Sequence, residues 1–340
     1  MADKFKVKYD NKNKKLVPHL MDKKNYCIHY RNLKYVKELG LVIEKVHNVI
    51  RFDQSTWLKE YIDFNTEKRK EAKNEFEKDF FKLVNNSVFG KTMENLRNRI
   101  SLHMTVDEKN AIKWFSNVNF KTAKHFDNLY LIESFKKEII YDKPLYVGTS
   151  ILDISKIHMM AFHYGVIDSQ FKHLYKLVYS DTDSFVYQIF TEDIYDWISK
   201  NRQHFDLSES EINKDATNEK ALGFFKDELK GSPLVNFTSL NPKSYCYNYL
   251  KEGVNIEKKK AKGVSKVVLK KEITNADYKN VLETGEGLSR YVCGFHSYNH
   301  DVFTTKSLKQ CLTPLTDKSY AMDWNDLLPY GHYKTKQKLN

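Results

Sequence analysis

The sequence predicts a mixed α+β fold, because helical and strand-like segments follow one another without regular alternation. Residues 66–81 are rich in strong helix formers and lack Gly and Pro, so they predict one long helix capped by Asn65 or Thr66. Two short apolar runs, residues 174–178 and 185–189, flank a polar turn and predict a β-hairpin. A chain of 340 residues is long enough to build two or three subdomains from such elements.

The other elements are predicted from shorter patterns. Residues 144–152 predict a strand with a glycine kink, and Gly90 is expected to mark a helix break or a close approach of two segments. Residues 242–249 and 264–269 predict strands on either side of a lysine-rich loop. Further helices are predicted over 94–99, 153–164 and 273–285, and short elements over 26–30, 41–49 and 56–62.

Composition excludes several classes of protein. No run of about 18 apolar residues is present, so no membrane span is expected. The N-terminal stretch has no apolar segment of the kind found in signal peptides, which favours an intracellular protein. The four cysteines lie far apart without a Cys-x-x-Cys pair, so we predict free thiols and neither a disulfide framework nor a zinc site.

Positive charge is unevenly distributed along the chain, whose net charge is +12. Residues 1–100 hold 23 Lys and Arg against 14 Asp and Glu, a net of +9. Residues 241–275 hold 9 against 3, a net of +6, whereas residues 191–230 hold 6 against 10, a net of −4. Two basic stretches on either side of an acidic one suit a protein that binds a phosphate backbone, although solubilising surface lysines explain the same counts.

The polar turn between the two apolar runs carries Asp181 and Asp183. Residues two apart on a strand or tight hairpin face the same way, so both carboxylates can converge on one Mg²⁺. An ordinary solvated turn is the alternative. A calcium loop starting at Asp181 is rejected, because Phe185 would occupy a ligand position and Val186 would replace the required Gly.

Two further groups of residues suit nucleotide and nucleic acid. A row of cations with Phe89 close by suits a nucleoside triphosphate, although most such rows are solvated helix faces. Lys243 and Tyr245 share a strand face, and the lysines of 258–262 could meet phosphates of a bound strand, although a lysine-rich hairpin loop is the obvious alternative. The cations of this row, on the predicted long helix and at its end, are Arg69 or Lys70, Lys78 and Lys82, and Asn86 shares their face.

Taken in order, these groups resemble the motifs of family B DNA polymerases, especially the protein-primed branch of bacteriophage, adenovirus and Polinton/Maverick-type mobile elements. That family carries Lys-x-x-x-Asn-Ser-x-Tyr-Gly, then Tyr-x-Asp-Thr-Asp-Ser, then Lys-x-Tyr and a basic element. Residues 82–90 match the first motif with Phe89 in place of Tyr, and residues 179–184 match the second completely. Residues 243–245 and 260–263 resemble the third and fourth.

The resemblance implies roles for individual residues. Asp181 and Asp183 would be the catalytic carboxylates near two Mg²⁺ ions, with Mn²⁺ as an alternative metal. Deoxynucleoside triphosphates, primer–template DNA and a terminal protein primer would be the partners. The enzyme would be a DNA-directed DNA polymerase, located in the nucleus or in a virus-like element. Nucleotide-binding residues would be Arg69, Lys78, Lys82, Asn86 and Phe89, and DNA-binding residues Lys243, Tyr245, Lys260 and Lys262.

The resemblance also implies a right-hand fold of palm, fingers and thumb. The first palm motif, which should supply another catalytic Asp before residue 65, has no match here, and neither does the proofreading exonuclease domain. The chain is therefore expected to be the C-terminal part of a polymerase with an incomplete palm, or an inactive remnant that still binds primer–template DNA. An RNA-templated enzyme is less compatible with these motifs. The implied segments are 1–63 (N-terminal, palm-associated), 64–100 (fingers), 101–190 (palm), 191–272 (palm and primer-binding strands) and 273–340 (thumb).

Overall fold

The predicted α+β class is confirmed by a computed structural model, which describes residues 17–298, 301–323 and 326–337. These residues form two compact units. We call residues 27–166 with 296–303 the helical unit, and the rest of the described chain the sheet unit. None of the described helices is both long and apolar enough to span a membrane. The cysteines are free thiols, as predicted.

The helical unit contains a small three-stranded sheet as well as its main helices. The sheet has the strand order β1-β3-β2, and all of its pairs are antiparallel. A buried Asp153 links two of the helices by accepting the His29 N–H at 2.8 Å, immediately before the first helix. The elements are α1 (Tyr30–Glu38), α2 (Lys59–Glu71), α3 (Glu75–Thr92), β1 (Ile100–Thr105), α4 (Glu108–Phe115), β2 (Phe120–Phe126), β3 (Leu129–Phe135) and α5 (Leu145–Phe162).

The single long helix predicted over residues 66–81 is wrong, because α2 ends at Glu71 and α3 begins at Glu75. Asn74 is extended, and its side chain accepts the Glu77 N–H at 2.9 Å. The Glu77 carboxylate in turn accepts the Lys73 N–H at 3.0 Å. These two capping bonds start a new helix where propensity alone predicts continuity. The predicted caps Asn65 and Thr66 lie inside α2 and hydrogen-bond to its own carbonyls.

Several shorter predictions for this unit are also wrong. Gly90 neither breaks α3 nor allows a close approach, since a Cβ there would meet nothing within 4 Å. Residues 41–56 form no regular element, and the helix expected over 94–99 is a 3-10 turn at Leu96–Asn98. The elements expected over 26–30 and 56–62 do not form as predicted, and helices α1 and α2 begin there instead, at Tyr30 and Lys59.

Helix α5 contradicts the strand predicted over residues 144–152 and confirms the helix predicted after it. Gly148 lies inside α5, where a Cβ would collide with the side chains of Met93 and Thr92. The glycine therefore permits close packing of α5 against the end of α3, and does not kink a strand. The packing of α5 against the end of α3 therefore outweighs the local preference of residues 144–152 for a strand.

The sheet unit is built around the antiparallel sheet β10-β9-β8. Its core includes Cys246 on the sheet, together with Ile273, Tyr278 and Leu312, which are at most 1% exposed. The elements that lie wholly or partly in this unit are α6 (Ser169–Phe171), β4 (Tyr175–Asp181), β5 (Ser184–Ile189), α7 (Ile194–Lys200), β6 (Phe205–Asp206), β7 (Phe225–Lys226), β8 (Leu234–Asn241), β9 (Ser244–Lys251), β10 (Val254–Ala261), α8 (Lys266–Lys271), α9 (Asn275–Thr284), β11 (Leu288–Tyr298), β12 (Asp301–Leu312), β13 (Tyr320–Asp323), β14 (Asp326–Leu328) and α10 (Tyr333–Gln337).

The hairpin predicted around residues 179–184 and the helix predicted over 273–285 are confirmed as β4–β5 and α9. The prediction of a lysine-rich loop is wrong, because residues 258–260 lie within strand β10. The strand predicted over 264–269 is also wrong, because Ser265 accepts the Val268 N–H and caps helix α8. Lysines fit β10 because Lys259 reaches the Ile273 carbonyl while Lys258 and Lys260 remain exposed.

We expect Asp153→Ala to lower the free energy of unfolding by about 1–3 kcal/mol, because it leaves the His29 N–H without its acceptor at a buried position. Urea denaturation measures the change. The control is Lys156→Ala, which removes the more exposed partner of the same carboxylate and should cost less than about 1 kcal/mol. Equal midpoints for Asp153→Ala and the unmodified protein would contradict the assignment.

Candidate active site

A β-hairpin of the sheet unit carries the two predicted carboxylates. β4 ends at Asp181 and β5 begins at Ser184, and these residues pair, so Thr182 and Asp183 form a two-residue turn. The Asp183 N–H donates to the Asp181 carbonyl oxygen at 2.6 Å, and the Ser184 hydroxyl donates to the same oxygen at 3.2 Å. The hairpin therefore places both aspartates at its tip.

A second hairpin tip lies between β8 and β9, where Pro242 and Lys243 connect the paired residues Asn241 and Ser244. Proline fixes its own φ near −65°, and Lys243 follows with a φ of +65°. This order of angles is typical of a type II turn, in which Gly or Asn usually occupies the second position. Thr182 in the first tip also has a left-handed φ, +58°.

The two tips are joined through Lys243. Its ammonium group donates to Asp181 Oδ2 at 2.6 Å, and its backbone N–H donates to the hydroxyl oxygen of Tyr179 at 2.9 Å. The Asp181 side chain is 27% exposed and that of Lys243 is 52% exposed. One residue thus contacts two successive inward positions of β4, and this fixes the tips relative to each other.

The electrostatic environment of Asp181 is strongly basic. The hydrogen bond from Lys243 holds the pKa of the Asp181 carboxyl below its ordinary value, with further contributions from the Thr182 hydroxyl and the charge of Lys262. Partial burial acts in the opposite direction. The same hydrogen bond raises the pKa of Lys243. The Lys262 backbone N–H donates to the Lys243 carbonyl oxygen at 3.0 Å, which brings a second lysine to the same tip.

Aromatic side chains support the two tips from one face of the sheet. The ring of Tyr179 lies 4.9 Å from that of Tyr245 and 5.7 Å from that of Phe237. Phe237 and Tyr245 are themselves stacked, at 5.4 Å. Burial raises the pKa of Tyr245, and its neighbour Tyr179 adds to the effect. Lys260 pairs with Tyr245 across β9 and β10, so a cation lies beside this aromatic cluster.

The donor set for Mg²⁺ at this tip consists of Asp181 and Asp183. Within the residues that the structure describes, no three His, Cys, Asp or Glu side chains form a group that could hold a metal ion. Two carboxylates suit Mg²⁺ when substrate phosphates complete the coordination. Because Lys243 occupies one oxygen of Asp181, that ion pair would have to open for the carboxylate to bind metal.

The residues predicted to bind the nucleotide lie in the helical unit. Lys82 and Asn86 are exposed on α3, Phe89 is half-buried, and Lys78 forms an ion pair with Glu75 at 2.8 Å. The prediction that the cation row continues up the same helix is wrong, because α2 and α3 are separate helices. Arg69 and Lys70 both lie on α2.

The structure brings together Asp181, Lys243, Tyr245 and Lys262, which the sequence assigned to three different motifs. Sequence reasoning missed the anchoring role of Tyr179. Its position two residues before Asp181 on a strand was the available signal, since such residues share a face. No local pattern pointed to Phe237.

We expect Lys243→Met to raise the pKa of the Asp181 carboxyl toward its ordinary value, because the hydrogen bond that lowers it is removed. A lowered folded-state pKa means that the stabilisation is fully present above the unfolded-state pKa, about 4, and is lost as the pH falls through the folded-state value. NMR titration of ¹³C-labelled aspartate carboxyls measures the change.

The matched control is Lys251→Met, which breaks an ion pair with Glu211 in the same unit. The titration of Asp181 should be unchanged in this control. An Asp181 titration that is also unchanged in Lys243→Met would show that the two tips are not joined as described.

Comparison with known proteins adds no relative. No family model, no curated protein and no solved structure matches the chain.

Proposed function

We propose that this chain is part of a DNA-directed DNA polymerase of the family B type, which binds primer–template DNA and transfers nucleotides with Mg²⁺. One observation carries the proposal. Asp181 and Lys243 stand 62 residues apart in sequence, in motifs predicted to serve metal binding and primer binding, and their side chains meet at 2.6 Å. This contact is what we expect of a site in which the residues that bind the primer terminus lie next to the catalytic carboxylates.

The chemistry proposed for the tips is charge stabilisation at a phosphoryl centre. Asp181 and Asp183 would hold Mg²⁺ together with phosphate oxygens of the incoming nucleotide, and the bound metal would supply neutralisation of the charge that develops there. The primer 3′-hydroxyl attacks the α-phosphorus and pyrophosphate leaves. The positioned cations Lys243 and Lys262 would stabilise the adjacent backbone phosphates.

Primer binding is proposed for the aromatic and basic face beside the tips. Tyr245 is held by Tyr179 and Phe237, so its ring offers a rigid surface for the sugar or base at the primer end. Lys260 lies across from it on β10 and would contact the strand backbone. The triphosphate role of Lys82, Asn86 and Phe89 on α3 rests on the motif resemblance.

Activity of the isolated chain is expected to be weak or absent. A two-metal site needs more carboxylates than Asp181 and Asp183 provide, and the predicted first palm motif has no match among residues 1–65. Asp10, a carboxylate in this N-terminal region, lies outside the described residues. A second candidate function is binding of primer–template DNA without catalysis, which the missing match to the first palm motif favours.

Primer extension by the purified chain tests the catalytic proposal. The assay uses Mg²⁺, all four deoxynucleotides and a primer–template, beside the variant Asp183→Asn. No extension is expected from the isolated chain. Extension that disappears in Asp183→Asn would overturn this expectation and assign a complete site to the chain, whereas extension that persists in the variant would overturn the role of Asp183.

Salt dependence of DNA binding tests the proposed DNA contacts. We expect the chain to bind primer–template DNA in a gel-shift assay, with an affinity that falls steeply with salt. Lys262→Ala should weaken binding and reduce the slope of log K against log salt by about 0.9, the value for one lost phosphate contact. Lys251→Ala is the control, since Lys251 lies at the opposite end of β9 and should leave the slope unchanged. Equal slopes for both variants would contradict the assigned DNA contact.

A further inference from the structure

A cavity of about 310 Å³ opens beside the small sheet of the helical unit. It lies where β1, the segment after α4 and the end of β3 meet. Its size falls at the lower end of the range for small-molecule sites, and none of the residues of the proposed active site lines it.

The strongest indication of a ligand is a buried hydroxyl. Ser134 lines the cavity and is 3% exposed, and its Oγ has no hydrogen-bond partner among the described residues. Leaving a buried hydroxyl unpaired is unfavourable, so native proteins rarely keep one without a reason. Ser101 pairs directly with Ser134 across β1 and β3, which places a second hydroxyl on the same face. A ligand with a polar edge would satisfy this pair.

The adjoining wall is flat and aromatic. The rings of His103 and Trp114 stack with their centroids 3.6 Å apart and an interplanar angle of 17°. His103 is two residues from Ser101 on β1, so it shares the face that carries the two hydroxyls. Asn117 and Asn119 add amide groups, and Asn117 is held in place because its side-chain oxygen accepts the Asn119 N–H at 3.0 Å. A planar heterocycle with hydrogen-bonding edges fits these surroundings.

Charged groups stand at the end of β3. Lys136 and Lys137 line the cavity and are exposed, and Glu138 follows them. Two adjacent ammonium groups suit a phosphate, whereas the carboxylate can accept a hydrogen bond from an exocyclic amine. From this combination we propose that the cavity binds a nucleotide, with its base against the Trp114–His103 wall and its phosphate at Lys136 and Lys137. The nucleotide comes either from a free pool or from a single strand of nucleic acid.

The test uses the full chain and two probes. Isothermal titration calorimetry with dAMP and dCMP measures binding of free nucleotides, and fluorescence anisotropy with a labelled single-stranded oligodeoxynucleotide measures binding of a strand. Ser134→Ala should weaken binding of the true ligand up to about tenfold, the equivalent of one hydrogen bond. Its unfolding midpoint in urea should not fall, because the substitution removes an unpaired buried hydroxyl.

A second pair of variants tests the site by reversing the charge of exposed lysines, so its result does not depend on a substitution in the core. Lys136→Glu should weaken binding, whereas Lys124→Glu, the same change at an exposed lysine of β2 outside the cavity, should not. Weaker binding of dAMP or dCMP by Ser134→Ala and Lys136→Glu supports the site and assigns it to free nucleotides. Weaker binding of the oligonucleotide alone supports the site and assigns it to a strand. Unchanged affinity of both variants for every probe would overturn the proposal.

Discussion

The contact between Lys243 and Asp181 is the constraint on which the candidate site depends. Both aspartates lie on one hairpin tip and Lys243 on another, and each tip can form from local sequence but is by itself a solvated turn of no particular chemistry. The contact between the two tips converts them into one site with a defined charge pattern. Because the pair is partly exposed, its net stabilisation is small, and its main effect is geometric. The Tyr179 hydroxyl strengthens this effect, because it accepts the Lys243 backbone N–H while Asp181 holds the Lys243 side chain.

Local signals predicted those elements whose causes are local. The β4–β5 hairpin follows from two apolar runs around a polar turn, and α9 begins at a capping box formed by Thr274 and Asp277. The errors share a different cause. Residues 144–152 have the local pattern of a strand, but they form a helix in which Gly148 packs against Met93. The lysines of β10 have the local pattern of a loop, but they form a strand in which Lys259 donates to the Ile273 carbonyl. Partners distant in sequence decide both cases.

The candidate site was likewise predictable from the sequence only where its causes are local. Asp181 and Asp183 could be placed at a hairpin tip from the sequence, and Lys243 and Tyr245 could be placed near each other. That Lys243 would reach Asp181 across 62 residues was not predictable, because it depends on how the β8–β9 turn is oriented against β4. The break between α2 and α3 likewise depends on one capping asparagine whose effect competes with a long run of helix-forming residues. Separating Arg69 from Lys78 changes which cations can act together on one ligand.

The left-handed backbone at both tips has a consequence for how this chain can change. Thr182 and Lys243 occupy conformations in which Gly or Asn is less strained, so replacement by those residues would relax the turns. Selection for thermodynamic stability alone would therefore favour losing the two side chains, whereas any role that uses the Thr182 hydroxyl and the Lys243 ammonium opposes that drift. At both turns, the residues that would give the most stable backbone are therefore not the residues whose side chains the site uses. Laboratory evolution for thermal tolerance is expected to alter these two positions early.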